Sequence, residues 1–134
     1  VLSATTTTYA TAHERTSTTG EPLVVLVGAD WCPACQQMKS NIIPQAERNG
    51  LLSRVSFAVV NTDHEPGLAR RLMRGGTIPQ LIMYHKTADG GWKRSQLTGA
   101  QSVDSLRTFL AQPAADATSP KVSQAPRSGE TIER

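Results

Sequence analysis

The chain has 134 residues and a net charge of +3, and it is 38% hydrophobic but only 4% aromatic, which suits one domain filled by Val, Leu, Ile and Met. Its basic residues are scattered, densest at Arg70, Arg71 and Arg74 with no alternating aromatics to stack bases, which argues against a nucleic-acid partner. No stretch reaches the roughly 18 apolar residues of a membrane span, and two cysteines are too few for a disulfide-stapled miniprotein.

The chain starts at Val1 rather than Met, as expected either of a trimmed chain or of a processed one from which a signal peptide or anchor has been removed. Residues 1–8 are rich in Thr and read as a linker or a short edge strand. A helix is predicted from Tyr9 to Thr18 with Thr8 as its N-cap; Gly20 and Pro22 then break the pattern. Residues 23–27 are a continuous apolar, largely β-branched run, the signature of a central parallel strand covered on both faces. A tight loop, Ala29-Asp30-Trp31, leads to a helix starting near Cys32 or Pro33, since proline is well placed at a first helical position. Met38, Ile42 and Ala46 mark its buried stripe. Pro44 lacks a backbone donor and should kink or interrupt that helix near Ile43, and Asn49-Gly50 should stop it.

Residues 55–61 read as a second central strand. Residues 65–73 read as a short helix with Leu68, Ala69 and Leu72 inward, ended by Gly75-Gly76. Residues 79–85 form a third strand, and Asp89-Gly90-Gly91 signals a hairpin into an antiparallel fourth strand at 92–97. Ser102 caps a last helix with Val103, Leu106, Phe109 and Leu110 on one face. From Pro113 onward Ala, Ser, Pro and single charges dominate, which predicts a disordered tail over 113–134. The element order predicts an α/β domain over 9–112, a central mixed β-sheet with helices on its faces.

The chemistry concentrates at Cys32 and Cys35. Two cysteines at i and i+3, opening a helix, lie close enough for a small disulfide ring. The free N–H groups and partial positive charge of the helix start favour a thiolate. Cys32, at the very start, is expected to be exposed and to act as the nucleophile; Cys35, one turn in and more buried, would resolve the mixed disulfide. The competing readings are a pair of inert core cysteines and a metal site. Zinc wants four ligands, and His13, His64 and His85 do not pair at ligand spacing; a two-coordinate soft metal such as Cu(I) stays open.

From Ala29-Asp30-Trp31-Cys32-Pro33-Ala34-Cys35 the chain resembles the thioredoxin superfamily. The apolar strand directly before these residues, Asn61-Thr62-Asp63 followed by Pro66, Ile78-Pro79, and Leu97-Thr98-Gly99 match that family in order, over about residues 9 to 112. The resemblance implies a thioredoxin-like fold and a cis Ile78–Pro79 bond opposite the cysteine pair. It also implies that the Ile78 backbone can pair with an extended partner segment. Trp31, Pro33, Ala34, Ile78 and Pro79 would then form the substrate-binding surface around catalytic Cys32 and Cys35.

Departures from the family are specific. Thioredoxins proper enclose Gly-Pro between their cysteines; here the pair is Pro33-Ala34, which puts proline first as in glutaredoxins and periplasmic disulfide oxidases. The buried Asp six residues before the first cysteine is Leu26 here, and its Lys partner on the neighbouring strand is Val59. Proton transfer from Cys35 then needs water or another group. The layout with an early helix and Gly20-Glu21-Pro22 leading into the strand looks most like bacterial extracytoplasmic thioredoxin-like domains, so an extracytoplasmic setting, periplasmic or membrane-tethered, is expected.

The resulting expectation is a monomeric thiol–disulfide oxidoreductase that reduces or isomerises protein disulfides. It needs no cofactor beyond the Cys32–Cys35 disulfide and no metal. Its partners would be protein thiols or disulfides and an upstream electron donor or acceptor. The alternatives are a non-catalytic protein-binding module on the same fold and a soft-metal handling domain.

Overall fold

The computed structural model describes residues 8–114. Residues 1–7 of the linker or edge strand expected at 1–8, and the tail beyond 114, lie outside the described residues. Helix α1 (Tyr9–Thr19) opens at Thr8, whose hydroxyl accepts the Thr11 N–H at 3.2 Å, and closes at Gly20 in the left-handed region. Two of its threonines, Thr18 and Thr19, donate their hydroxyls to the Glu14 and Arg15 carbonyls one turn back.

Among the described residues four strands, β1 (Leu23–Gly28), β2 (Ser56–Asn61), β3 (Gln80–Lys86) and β4 (Trp92–Thr98), make one sheet in the order β2-β1-β3-β4. β1 runs parallel to β2 and antiparallel to β3, and β3 pairs antiparallel with β4. The apolar run is therefore central, as its composition requires, but parallel on one side only. All six of its residues are buried.

Alternation along β1 divides the core. Val24 and Leu26 point to one face, with Met38, Ile43, Ala46, Phe57, Leu81, Met83, Leu106 and Phe109. Leu23, Val25 and Val27 point to the other, with Ala12, Ala58, Val60, Ala69, Leu72 and Ile82. Each fully buried Val or Leu contributes about 1.5–3 kcal/mol, so this strand is where the sheet is anchored.

The long helical segment after the cysteines comprises α2 (Pro33–Gln37), a π turn (Met38–Ile42) and α3 (Ile43–Arg48). Pro44 does not stop it. The Ile43 N–H reaches back five residues to the Met38 carbonyl, and this wider turn absorbs the donor that proline lacks. The added residue shifts the inward stripe: Met38, Ile43 and Ala46 are buried, whereas Ile42, expected inside, is half-buried.

Helix α4 (Pro66–Leu72) buries Ala69 and Leu72. It ends earlier than the double glycine predicted. Met73 turns extended, and the Arg94 guanidinium donates to the Leu72 carbonyl at 2.7 Å. The last helix, α5 (Val103–Leu110), is capped by Ser102, which accepts the Ser105 N–H. No helix among the described residues is long and apolar enough to cross a membrane.

Candidate active site

The C-terminal end of β1 and the start of α2 meet at Cys32. Its backbone is extended (φ −95°, ψ 113°), making it the N-cap, with Pro33 as the first helical residue. Its Sγ accepts the Cys35 N–H at 3.1 Å, and its carbonyl accepts the Gln36 N–H at 3.0 Å. Cys32 and Cys35 are joined as a disulfide with Cα atoms 5.2 Å apart. The sulfur of Cys32 thus takes the place an oxygen holds in an ordinary helix cap.

The expected contrast in exposure between the two cysteines is absent: Cys32 is 6% exposed and Cys35 4%. In the disulfide the Cys32 side chain folds toward Cys35, and both pack with Ala29, Ala34 and Ile78. What separates them is position. Cys32 lies at the helix entrance, while Cys35 rests against β1, where a Cβ added to Gly28 would sit 2.8 Å from Cys35 Sγ. Gly28 is a site residue that sequence reading missed; the only signal was a glycine ending a buried strand.

The surroundings are apolar on the outside and polar at the edges. Trp31 is 68% exposed, and its Nε1–H donates to Asp63 Oδ2 at 2.9 Å. Asp63 is held in turn by the Asn61 side chain, which accepts the Asp63 N–H at 2.8 Å, and the neighbouring Thr62 N–H donates to the Gly28 carbonyl at 2.8 Å. Pro33 is exposed, and Ala34 and Ile78 are half-buried. The Ile78–Pro79 bond is cis, Pro79 is buried, and its carbonyl accepts the Gly99 N–H at 2.8 Å. The structure therefore brings Ala34 and Ile78 to the disulfide, leaves Pro33 exposed and Pro79 buried, and turns the Trp31 indole to Asp63.

Behind Cys35 lies a small cavity of about 30 Å³, lined among others by Leu26, Asp30, Lys39, Val59 and Asn61, enough space for water. Leu26 and Val59 are register partners in the β1–β2 ladder, so the place where the family keeps an acid–base pair is aliphatic. The nearest charges are Asp30 and Lys39, exposed and 4.0 Å apart. Among the described residues no group of three or more His, Cys, Asp or Glu gathers as a metal site.

Chemically, the arrangement suits two-electron exchange between this sulfur pair and another. The sequence profile of the thioredoxin-like family matches residues 4–86. Among solved structures, a thioredoxin from Thermus thermophilus superposes with a TM-score of 0.71 at 24% identity, over 91% of this chain and 95% of that one. Trxlp from Edwardsiella tarda gives 0.59 at 25% identity, over 75% and 91%. Mitochondrial thioredoxin 3 from Saccharomyces cerevisiae gives 0.55 at 21%, over 82% and 92%. No curated protein matches the sequence. With the profile spanning more than half of the residues, and a mixed four-stranded sheet flanked by helices carrying a paired Cys-X-X-Cys at a helix entrance, the chain belongs to the thioredoxin-like family.

Proposed function

We propose that the protein is a thiol–disulfide oxidoreductase acting on protein disulfides, in the reducing or isomerising direction. The observation that carries this is Cys32: an N-cap whose sulfur already accepts a backbone N–H, in a disulfide rimmed by an exposed tryptophan and by the loop around Ile78.

In the reduced protein the Cys32 thiolate attacks one sulfur of a partner disulfide. That S–S bond breaks, the partner's other sulfur leaves as a thiolate and takes a proton, and a mixed disulfide forms. The Cys35 thiol gives up its proton and its sulfur attacks Cys32. The mixed disulfide breaks, and the partner's second sulfur leaves as a thiol. Two electrons have passed to the partner and the Cys32–Cys35 disulfide is restored. The Cys35 N–H that Cys32 Sγ accepts favours the thiolate at the entrance. An upstream dithiol donor must return the two electrons.

The test is a pair of variants. Cys35→Ser should accumulate partner proteins as reductant-sensitive mixed disulfides, and Cys32→Ser should capture none and lose disulfide reduction. Equal capture by both, or reduction that survives Cys32→Ser, overturns the assignment. Equilibration of the pair with glutathione then reads the direction.

A further inference from the structure

Gln80 is the first residue of β3, directly after Pro79, and it is fully buried. Its backbone is engaged in the sheet, opposite Val27 and Thr98, but its side chain turns the other way along the chain. Its amide NH2 donates to the carbonyls of Arg74 (3.0 Å), Thr77 (3.0 Å) and Gly75 (3.2 Å), and its Oε1 accepts the Arg74 N–H at 3.2 Å. Two hydrogens serve three acceptors, so one is shared. A flipped amide would set its oxygen against three carbonyls, so the network itself fixes the orientation.

The segment it holds is the one that needs holding. Gly75 and Gly76 are exposed and would meet nothing within 4 Å even with a Cβ, and glycine gives up the most freedom when ordered. At the far end of this segment Ile78 packs on the Cys32–Cys35 pair. A buried amide thus templates a glycine-rich loop whose other end forms one wall of the disulfide site.

We propose that Gln80 is a positioning residue, which presets loop 74–78 as the edge along which an extended polypeptide partner docks beside Cys32. The inference rests on the oxidoreductase reading above. A preset edge spares the partner the cost of ordering the loop, and an extended segment laid along it gains main-chain hydrogen bonds. A small disulfide that reaches only the sulfurs gains nothing from it.

The experiment compares wild type and Gln80→Met, similar in length but without hydrogen-bonding groups, in the reduction of insulin and of dithionitrobenzoate, a small aromatic disulfide. The expected result is a KM for insulin raised about tenfold in Gln80→Met, with kcat and the dithionitrobenzoate rate changed less than about twofold. An unchanged KM, or parallel loss on both substrates, overturns the positioning role while leaving the oxidoreductase reading intact. Wild type inactive on both substrates overturns that reading and this inference with it. Should Gln80→Met fail to fold, backbone order parameters of wild-type residues 74–78 decide: values near about 0.85 support a preset loop and values below about 0.6 overturn it.

Discussion

Adding a single methyl group at Gly28 would bring a carbon within 2.8 Å of Cys35 Sγ and 2.9 Å of its Cβ. A sulfur tied to Cys32 cannot swing aside, so the helix start or the strand must move. Gly28→Ala should cost about 1–3 kcal/mol, the usual range for overpacking a core, read by urea unfolding of the oxidised protein; a neutral effect would show that the contact is looser than drawn. The turn of the β3–β4 hairpin holds a carboxylate in place by two hydrogen bonds. The Asp89 carboxylate accepts the Thr87 hydroxyl and then the Gly91 N–H, and these hold its pKa below the ordinary carboxylate value. A depressed carboxylate stabilises the fold above its unfolded pKa, and this support is lost as pH falls from about 4 through the folded value. Carbon NMR should place the Asp89 midpoint below the ordinary value in wild type and bring it back toward about 4 in Thr87→Val; a midpoint indifferent to that substitution would remove the hydroxyl as cause. The Cys32–Cys35 pairing was legible because the i, i+3 spacing alone allows it, and the cis Ile78–Pro79 bond only through the family resemblance. Gly28, Gln80 and the Trp31–Asp63 bond were not, because each acts on a neighbour that only the folded chain supplies.

Among the elements, the segment after the cysteines carries the most information. A strict 3.6-residue repeat from Met38 selects Ile42, yet the π turn inserts one residue and delivers Ile43, 2% exposed, to the core. Ile43→Ala should therefore destabilise by about 2–5 kcal/mol and Ile42→Ala by clearly less, measured as midpoints of denaturant unfolding. The reverse order would mean that the wide turn does not persist in solution. Pro44 announced a departure from regular α geometry, but periodicity alone does not say whether a helix answers a missing donor by stopping, kinking or widening, and here it widens. The same limit explains α4. Gly75-Gly76 looked like its stop, but the chain leaves the helix at Met73, where Arg94 from β4 supplies the donor, a partner more than twenty residues away in sequence. By contrast the caps were readable in advance, since Thr8 and Ser102 act on N–H groups three residues downstream. Thr8→Ala should lower stability by roughly 1 kcal/mol in thermal unfolding.

For the molecule as a whole, protection should follow the sheet. β1 is paired on both sides and buried on both faces, whereas among the described residues β4 pairs with β3 alone and most of its residues are half-exposed. Amide hydrogen exchange should be slowest in β1, near the limit of global unfolding, and faster by local opening in β4; equal protection would count against this division. The fold class was legible in the order of elements and in the family resemblance, and the apolar run at 23–27 marked the middle of the covered sheet. The two sulfurs inherit that division of labour. Cys35 is backed by the end of the slowest-opening strand through Gly28, while the Trp31 indole and the glycine-bearing loop lie at the periphery. On the oxidoreductase reading proposed above, warming or mild denaturant should therefore weaken the docking of a polypeptide partner before it disturbs the spacing of the sulfurs themselves, so insulin reduction would fade while reduction of a small disulfide survives.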